Sequence, residues 1–265
     1  MQFINIIMVS ALGLLASISP SMGVSIAPHE AYYTMDLIKN VNNPNNVSDI
    51  RGMALINHKK TCEGWITIEN LKMSIKFGNG ASKLQNLQFS RWESLDGKMF
   101  LFAVKENTPF EELSVRGAAK LTSKGGEVKF TTPQKLDIKL PLNTKFPMAF
   151  LSNILKKVKA GKKSIGQYFF HGSDLSGPEW LKVSVLGRSE NKFSTDLKDE
   201  PLLEGAGWRL RLTAFTNRNT AFDSLYSYEA VVLENGILVS AFLNFEGFKV
   251  HQKLKMFTAF ENPKC

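Results

Sequence analysis

Strict alternation of apolar and polar residues constrains this chain more than any other feature of it. Leu136-Asp137-Ile138-Lys139-Leu140 alternates without a break, and Phe248-Lys249-Val250-His251-Gln252-Lys253-Leu254-Lys255-Met256 does so apart from Gln252. Successive side chains of an extended backbone point to opposite faces, so each run offers one apolar and one wetted face and reads as a half-buried strand. Comparable runs place strands near 62–77, 84–92, 98–105, 113–121, 127–140, 165–171, 180–187, 207–216, 226–234, 237–245 and 248–260. Turn chemistry separates them at Gly78-Asn79-Gly80, Asp96-Gly97, Gly125-Gly126 and Asn235-Gly236, the last being the strongest hairpin signal because both residues tolerate positive φ. Within Ile66–Phe77 the apolar positions change parity between Ile68 and Leu71, which predicts a bulge or bend near Asn70. Asn40 to Ser48 and Ser189 to Gly207 read as exposed loops. So many antiparallel strands exceed what one flat sheet holds. The fold expected is mainly β: a many-stranded antiparallel sheet curled into a spiral or incomplete barrel.

One segment departs from period two. Over about 147–160, Phe150, Leu151, Ile154, Leu155 and Val158 share one face at helical spacing, Pro147 suits the first turn, and Gly161 suits the C-terminal cap. This single amphipathic helix carries Lys156, Lys157, Lys159, Lys162 and Lys163 on its other face and at its end. Cations there complement the helix dipole and can simply be solvated. Five lysines beside an apolar helix also resemble an interfacial pattern that meets anionic lipid or lipopolysaccharide phosphates.

The first 27 residues contain no Asp, Glu, Lys or Arg, and an apolar stretch from Ile4 to Ile18 is followed by small residues ending in Ser25-Ile26-Ala27. The stretch is shorter than a spanning helix needs and reads as a signal peptide, 1–27, with cleavage there or a few residues earlier and an uncleaved anchor as the alternative, followed by a single β-rich domain over 28–265. Export to an oxidising compartment gives the two cysteines, Cys62 and Cys265, a simple reading as one disulfide; a zinc site would need closely spaced ligands. The remaining composition, 43% hydrophobic and 22% charged, is that of a globular chain and excludes collagen-like, disordered and polytopic membrane classes. A net charge of +9 makes polyanions or an anionic membrane face plausible neighbours. Export and the lack of a recognition motif set nucleic acid aside.

Catalytic patterns fail one by one. His29-Glu30 begins like a zinc-protease motif, but Tyr33 stands where the second histidine belongs. His171-Gly172-Ser173-Asp174 holds triad residue types too crowded to align in series, and reads as a polar turn. Ser189-Glu190-Asn191-Lys192 has the spacing of acylating serine enzymes without the companion motifs. Gly78-Asn79-Gly80 and Gly205-Ala206-Gly207 open like nucleotide loops but lack the third glycine and any Walker lysine. Acidic pairs such as Glu111-Glu112 read as solvated charge. Neither a cofactor nor a metal is expected. The phenylalanines, among them Phe100, Phe102, Phe169, Phe170, Phe242 and Phe248, read as core or as the lining of an apolar groove in a curled sheet.

Several stretches then stand together: Pro28-His29-Glu30-Ala31-Tyr32-Tyr33, Cys62-Glu63-Gly64-Trp65, Trp92-Glu93-Ser94-Leu95-Asp96-Gly97-Lys98, Leu140-Pro141 with Phe146-Pro147, His171-Gly172-Ser173, Tyr228-Glu229 before Glu234-Asn235-Gly236, and the terminal Cys265. In this order they resemble the alphaproteobacterial cell-envelope integrity protein EipB family. The resemblance implies a periplasmic protein with a spiral-like antiparallel β-structure, a helix beside it, a Cys62–Cys265 bond and a role in envelope integrity. It carries over no catalytic residue. His171, Asn143 and Phe150 depart from the pattern, which commonly has an acidic residue, Gly and His at such places.

The functional expectation is a non-enzymatic periplasmic protein that binds an apolar or anionic envelope ligand: a lipid, a lipoprotein, or an envelope protein partner. The helix face Phe150, Leu151, Ile154, Leu155 and Val158 would plug the concave sheet or swing to admit the ligand. Lys156, Lys157, Lys159, Lys162 and Lys163 would meet anionic headgroups in peripheral contact with the membrane. A hydrolase acting on an envelope polymer is the alternative.

Overall fold

The structure is a computed structural model that describes residues 24–38, 46–107, 112–190, 197, 200–218, 224–245 and 248–265. Its strands are β1 (His29–Ile38), β2 (Val47–Lys60), β3 (Gly64–Phe77), β4 (Ser82–Ser94), β5 (Met99–Asn107), β6 (Glu112–Thr122), β7 (Gly125–Thr132), β8 (Leu136–Leu140), β9 (Ser164–Phe169), β10 (Glu179–Glu190), β11 (Ala206–Phe215), β12 (Ser224–Leu233), β13 (Leu238–Phe245) and β14 (Phe248–Ala259). Among the described residues one α-helix, α1 (Pro147–Lys159), lies between β8 and β9, and a 3-10 turn spans Pro201–Leu203. All strands belong to one 14-stranded sheet in the order β8-β7-β6-β5-β4-β3-β2-β1-β14-β13-β12-β11-β10-β9, with antiparallel neighbours throughout. The expected curled, mainly β architecture with one helix is what the chain adopts.

The order places the first and last strands side by side at the middle of the sheet, from His29↔Ala259 to Ile38↔Lys249. The two edge strands, β8 and β9, therefore come from the middle of the chain, and α1 bridges them. The sheet does not close on itself by pairing those edges. Instead the segment leading into α1 lies along β9, where the Lys145 N–H donates to the Tyr168 carbonyl (2.9 Å) and the Phe170 N–H donates to the Lys145 carbonyl (3.1 Å). Across the seam, Cys62 in the β2–β3 turn is bonded to Cys265, with their Cα atoms 5.8 Å apart. This bond reaches past β1, which is held between β14 and β2.

The interior of the curl is filled. Ala31, Tyr33, Met35, Ile50 and Val250 form a core at the seam, and Phe100, Phe102, Phe130, Phe146 and Phe170 form an aromatic core, with Phe100 and Phe146 stacked at 4.9 Å. Phe169 lies 4.8 Å from Phe150, and Phe242 stacks on His251 at 4.2 Å. Phe100, Phe102 and Phe170 are thus core residues.

Four local expectations change. The strands β1 and β2 lie upstream of any strand the alternation located. The run 127–140 is two strands, because Pro133 interrupts it after a cis Thr132-Pro133 bond. No bulge falls at Asn70: β3 pairs with β4 without a shift from Gly64↔Ser94 to Lys76↔Ser82. Both expected loops shrink, since Val47 and Ser48 begin β2, Ser189 and Glu190 end β10, and Ala206 begins β11; residues 39–45 and 191–196 lie outside the described set.

At the N-terminus, residues 24–27 are part of the fold even though they fall inside the stretch assigned to the signal peptide. Ile26 and Ala27 are buried, and the Ala27 N–H donates to the Asn235 carbonyl at 2.9 Å. Residues 1–23 lie outside the described set. Among the described residues no helix is long and apolar enough to cross a membrane.

Candidate functional site

The helix start has no local cap. Phe146 occupies the N-cap position in an extended conformation and offers no side-chain acceptor. The acceptor comes from β4 instead: Glu93 takes the Met148 N–H on Oε2 (2.7 Å) and the Ala149 N–H on Oε1 (2.8 Å). A carboxylate at this position satisfies amides that have no partner within the helix and complements its dipole. Glu93 is only 3% exposed. Burial pushes its pKa up to about 7, against the downward pull of the two amides and Lys145. Beside it, Gly97 takes φ +65° in the β4–β5 turn, and a Cβ there would stand 2.8 Å from the Ala149 Cβ. The missing side chain lets the turn rest on the helix.

With its start fixed, α1 lays its apolar stripe against the concave side of the sheet. Phe150, Ile154, Leu155 and Val158 are buried with Ile165, Leu181, Val183, Trp208 and Leu210, and Leu151 packs at the edge of this cluster. These five residues, expected to plug the sheet or to receive a ligand, face protein in this structure.

Between the N-terminal half of α1 and the ends of β2, β3 and β4 lies a groove of about 560 Å³. Trp65, Ile26 and Met148 pack together as its apolar wall. Lys60, Lys145 and Lys156 supply its cations, and the Lys60 Nζ sits 5.8 Å from the Trp65 ring centroid. Of its two acids, Glu93 is held by the helix amides and Asp96 lies 3.6 Å from the Lys98 ammonium. An apolar wall beside cations can hold an amphiphile with an anionic head.

The structure divides the expected lysine cluster. Lys156 lines this groove, while Lys157 lies on the opposite flank of the helix. Lys159 pairs with Glu234 at 3.4 Å, and Glu234 also binds Arg188 at 2.9 Å. Lys162 and Lys163 are exposed at the approach to β9.

A second polar region crosses the inner face of the sheet. His29, His58, Thr67 and Arg91 pair in a row from β1 to β4. His58 Nδ1 lies 3.0 Å from the Thr67 hydroxyl, and Arg91 forms a 2.8 Å ion pair with Glu69. Burial, with smaller contributions from His29 and Arg91, lowers the His58 pKa to about 3; burial lowers that of His29 as well. Both imidazoles are therefore neutral at pH 7.

The His171 turn does not align a triad. His171 Nδ1 accepts the Ser173 backbone N–H at 2.9 Å, and its Nε2 lies 3.6 Å from Glu179, which also accepts the Tyr226 hydroxyl at 2.6 Å. The Ser173 hydroxyl instead receives a 3.5 Å contact from Arg91, and Asp174 accepts the Ser176 N–H at 2.7 Å. Ser189 and Glu190 lie on strand β10, and Lys192 and Glu111 are outside the described residues. Among the described residues no group of three His, Cys, Asp or Glu side chains comes together to hold a metal.

Residue patterning did not find Glu93, Trp65 or Lys60. The one available signal was negative: a helix opening on Pro147 with no Ser, Thr, Asp or Asn before it needs its amides satisfied from elsewhere. Comparison with known proteins agrees with the architecture. The sequence model of a family described as EipB-like matches residues 20–261. No curated protein matches the chain. Among solved structures, the crystal structure of a β-barrel-like protein of a domain of unknown function from Brucella abortus is 21% identical, covers 90% of this chain and 100% of that one, and superposes with a TM-score of 0.82. At that identity the likeness concerns the fold.

Proposed function

The chain belongs to the EipB-like family, and from that premise we propose that it is a non-enzymatic, periplasmic protein that supports the cell envelope by binding an anionic amphiphile, a lipid or the lipid part of a lipoprotein. The observation that carries this reading is the groove beside α1, where the Trp65, Ile26 and Met148 wall meets Lys60, Lys145 and Lys156. Since the helix itself fills the concave side of the sheet, the outer flank of α1 offers the ligand its place. An acyl chain would lie along the apolar wall, and a phosphate would meet the ammonium groups.

The test is binding of the mature protein to phosphatidylglycerol-containing vesicles against pure phosphatidylcholine vesicles, followed by cosedimentation. Anionic vesicles should bind more tightly, the difference should shrink with salt, and Lys60→Glu with Lys156→Glu should abolish it. Equal binding to both vesicle types, or no effect of charge reversal, would end the proposal.

A further inference from the structure

We propose that the groove on the opposite flank of α1, where Trp180 and Tyr168 meet Arg218 and Lys157, binds an anionic saccharide: a sugar carrying a carboxylate or phosphate. This groove has a volume of about 460 Å³ and shares only Lys145 and Asn153 with the groove described above.

Its charge is one-sided. Lys145, Lys157 and Arg218 line it, and among the described residues its lining contains no carboxylate. Arg218 is the best placed of the three, with its guanidinium carbon 5.6 Å from the Trp180 ring centroid. A guanidinium within cation–π range of an indole is drawn toward the ring, while its N–H groups can still meet an oxyanion.

Lysines and an arginine alone would accept any anion; the aromatic corner narrows the choice. Tyr168 and Trp180 are cross-strand partners whose rings meet edge to face, with centroids 4.8 Å apart at 69°. The indole can lie down along the sheet because position 166 is glycine: a Cβ there would stand 2.3 Å from Trp180 Cζ2. Flat aromatic walls suit the C–H faces of a pyranose ring, whereas a bare phosphate makes no use of them. The side-chain amides of Gln167 and Asn153 are also fixed, by bonding to each other. Gln167, 6% exposed, accepts from Asn153 Nδ2 at 3.0 Å and donates to the Asn143 carbonyl. Asn143 and Asn153 line the groove with side chains able both to donate to and to accept from hydroxyls. Cations, an aromatic corner and buttressed amides together match a charged sugar better than a lipid head or a free anion.

The probe is a hyaluronan tetrasaccharide, with maltotetraose as the neutral sugar and inorganic phosphate as the bare anion. Calorimetry gives affinities for the mature protein, and the indole N–H resonances report the site, with Trp180→Leu assigning its own peak. The tetrasaccharide should bind and shift the Trp180 resonance. Arg218→Gln, an exposed substitution that leaves the fold intact, should weaken it by about tenfold or more, the loss of one charge-assisted hydrogen bond. Maltotetraose and phosphate should each bind at least about tenfold more weakly than the tetrasaccharide. Phosphate or maltotetraose binding as tightly as the tetrasaccharide, absence of tetrasaccharide binding, or binding indifferent to Arg218→Gln and Lys157→Gln would overturn the assignment. The Lys60→Glu, Lys156→Glu protein should keep its tetrasaccharide affinity, so the two grooves succeed or fail independently.

Discussion

Replacing Cys62 with serine removes the bond that holds the β2–β3 turn to the end of the chain. In the unfolded protein that bond joins residues 203 apart, and the chain-entropy model assigns closure of such a loop about 5 kcal/mol at 25 °C. Denatured chains are partly compact and have already lost some of this freedom, so about 3 kcal/mol is the lower working figure. For a chain of this size each kcal/mol moves Tm by about 2 to 4 °C, which places C62S about 6 to 20 °C below the wild type. Differential scanning calorimetry with and without reductant measures this directly. C62S and C265S should melt together, neither should respond to reductant, and reduced wild type should join them. The β14–β1 ladder persists in all three, so far-ultraviolet dichroism at 25 °C should not change. A wild type that melts at the same temperature with and without reductant would refute the reasoning.

Three further outcomes follow from buried groups. His58 has a folded-state pKa of about 3 against 6.5 when exposed; the unfolded chain binds more protons between those values, so stability falls as pH drops through that window, by at most about 5 kcal/mol. His58→Gln should flatten this acid limb in urea titrations, and an unchanged limb would place its origin elsewhere. Glu93 shifts the other way, from 4.5 to about 7, so the folded chain holds the extra proton and stability declines as pH rises across that interval. Glu93→Gln should remove this decline, and a variant whose urea midpoint still falls between about pH 5 and pH 8 would place its origin in another group. Finally, Ile26 is 6% exposed against Trp65 and Met148, a burial worth about 1.5 to 3 kcal/mol. Under the proposed export, the intact mass of the processed protein should therefore show a chain beginning no later than Val24, and a chain beginning at Pro28 would contradict that.

How much of this was legible in the sequence depended on what each strand turns inward. Where the inner face is apolar, as in β8 and β14, alternation alone located the strand. In β3 it misled: the inner face runs Trp65, Thr67, Glu69, Leu71, Met73, Ile75 without a phase change, and Thr67 and Glu69 point inward because His58 and Arg91 meet them there. Reading Ile66 and Ile68 as the buried pair produced a bulge that does not exist; Ile68 is 43% exposed. The same polar row hid β1 and β2, since His29 and His58 occupy inward positions that the pattern reserves for apolar residues. α1 was legible throughout because Pro147, Gly161 and its apolar stripe are all local signals. Its carboxylate cap was not, because Glu93 lies 55 residues away in sequence and only the tertiary fold brings it there.

Because β1 pairs with β14, the first strand of the fold to be made must wait for the last. One half of the sheet can assemble hairpin by hairpin as the chain grows, yet the exposed flank of β1 finds its neighbour only when residues 248–259 arrive. Contacts so distant along the chain form slowly, and an unsatisfied strand edge invites pairing with other molecules. A product truncated before residue 248 would therefore carry an unpaired β1 margin, so completion of the chain is itself a condition for solubility.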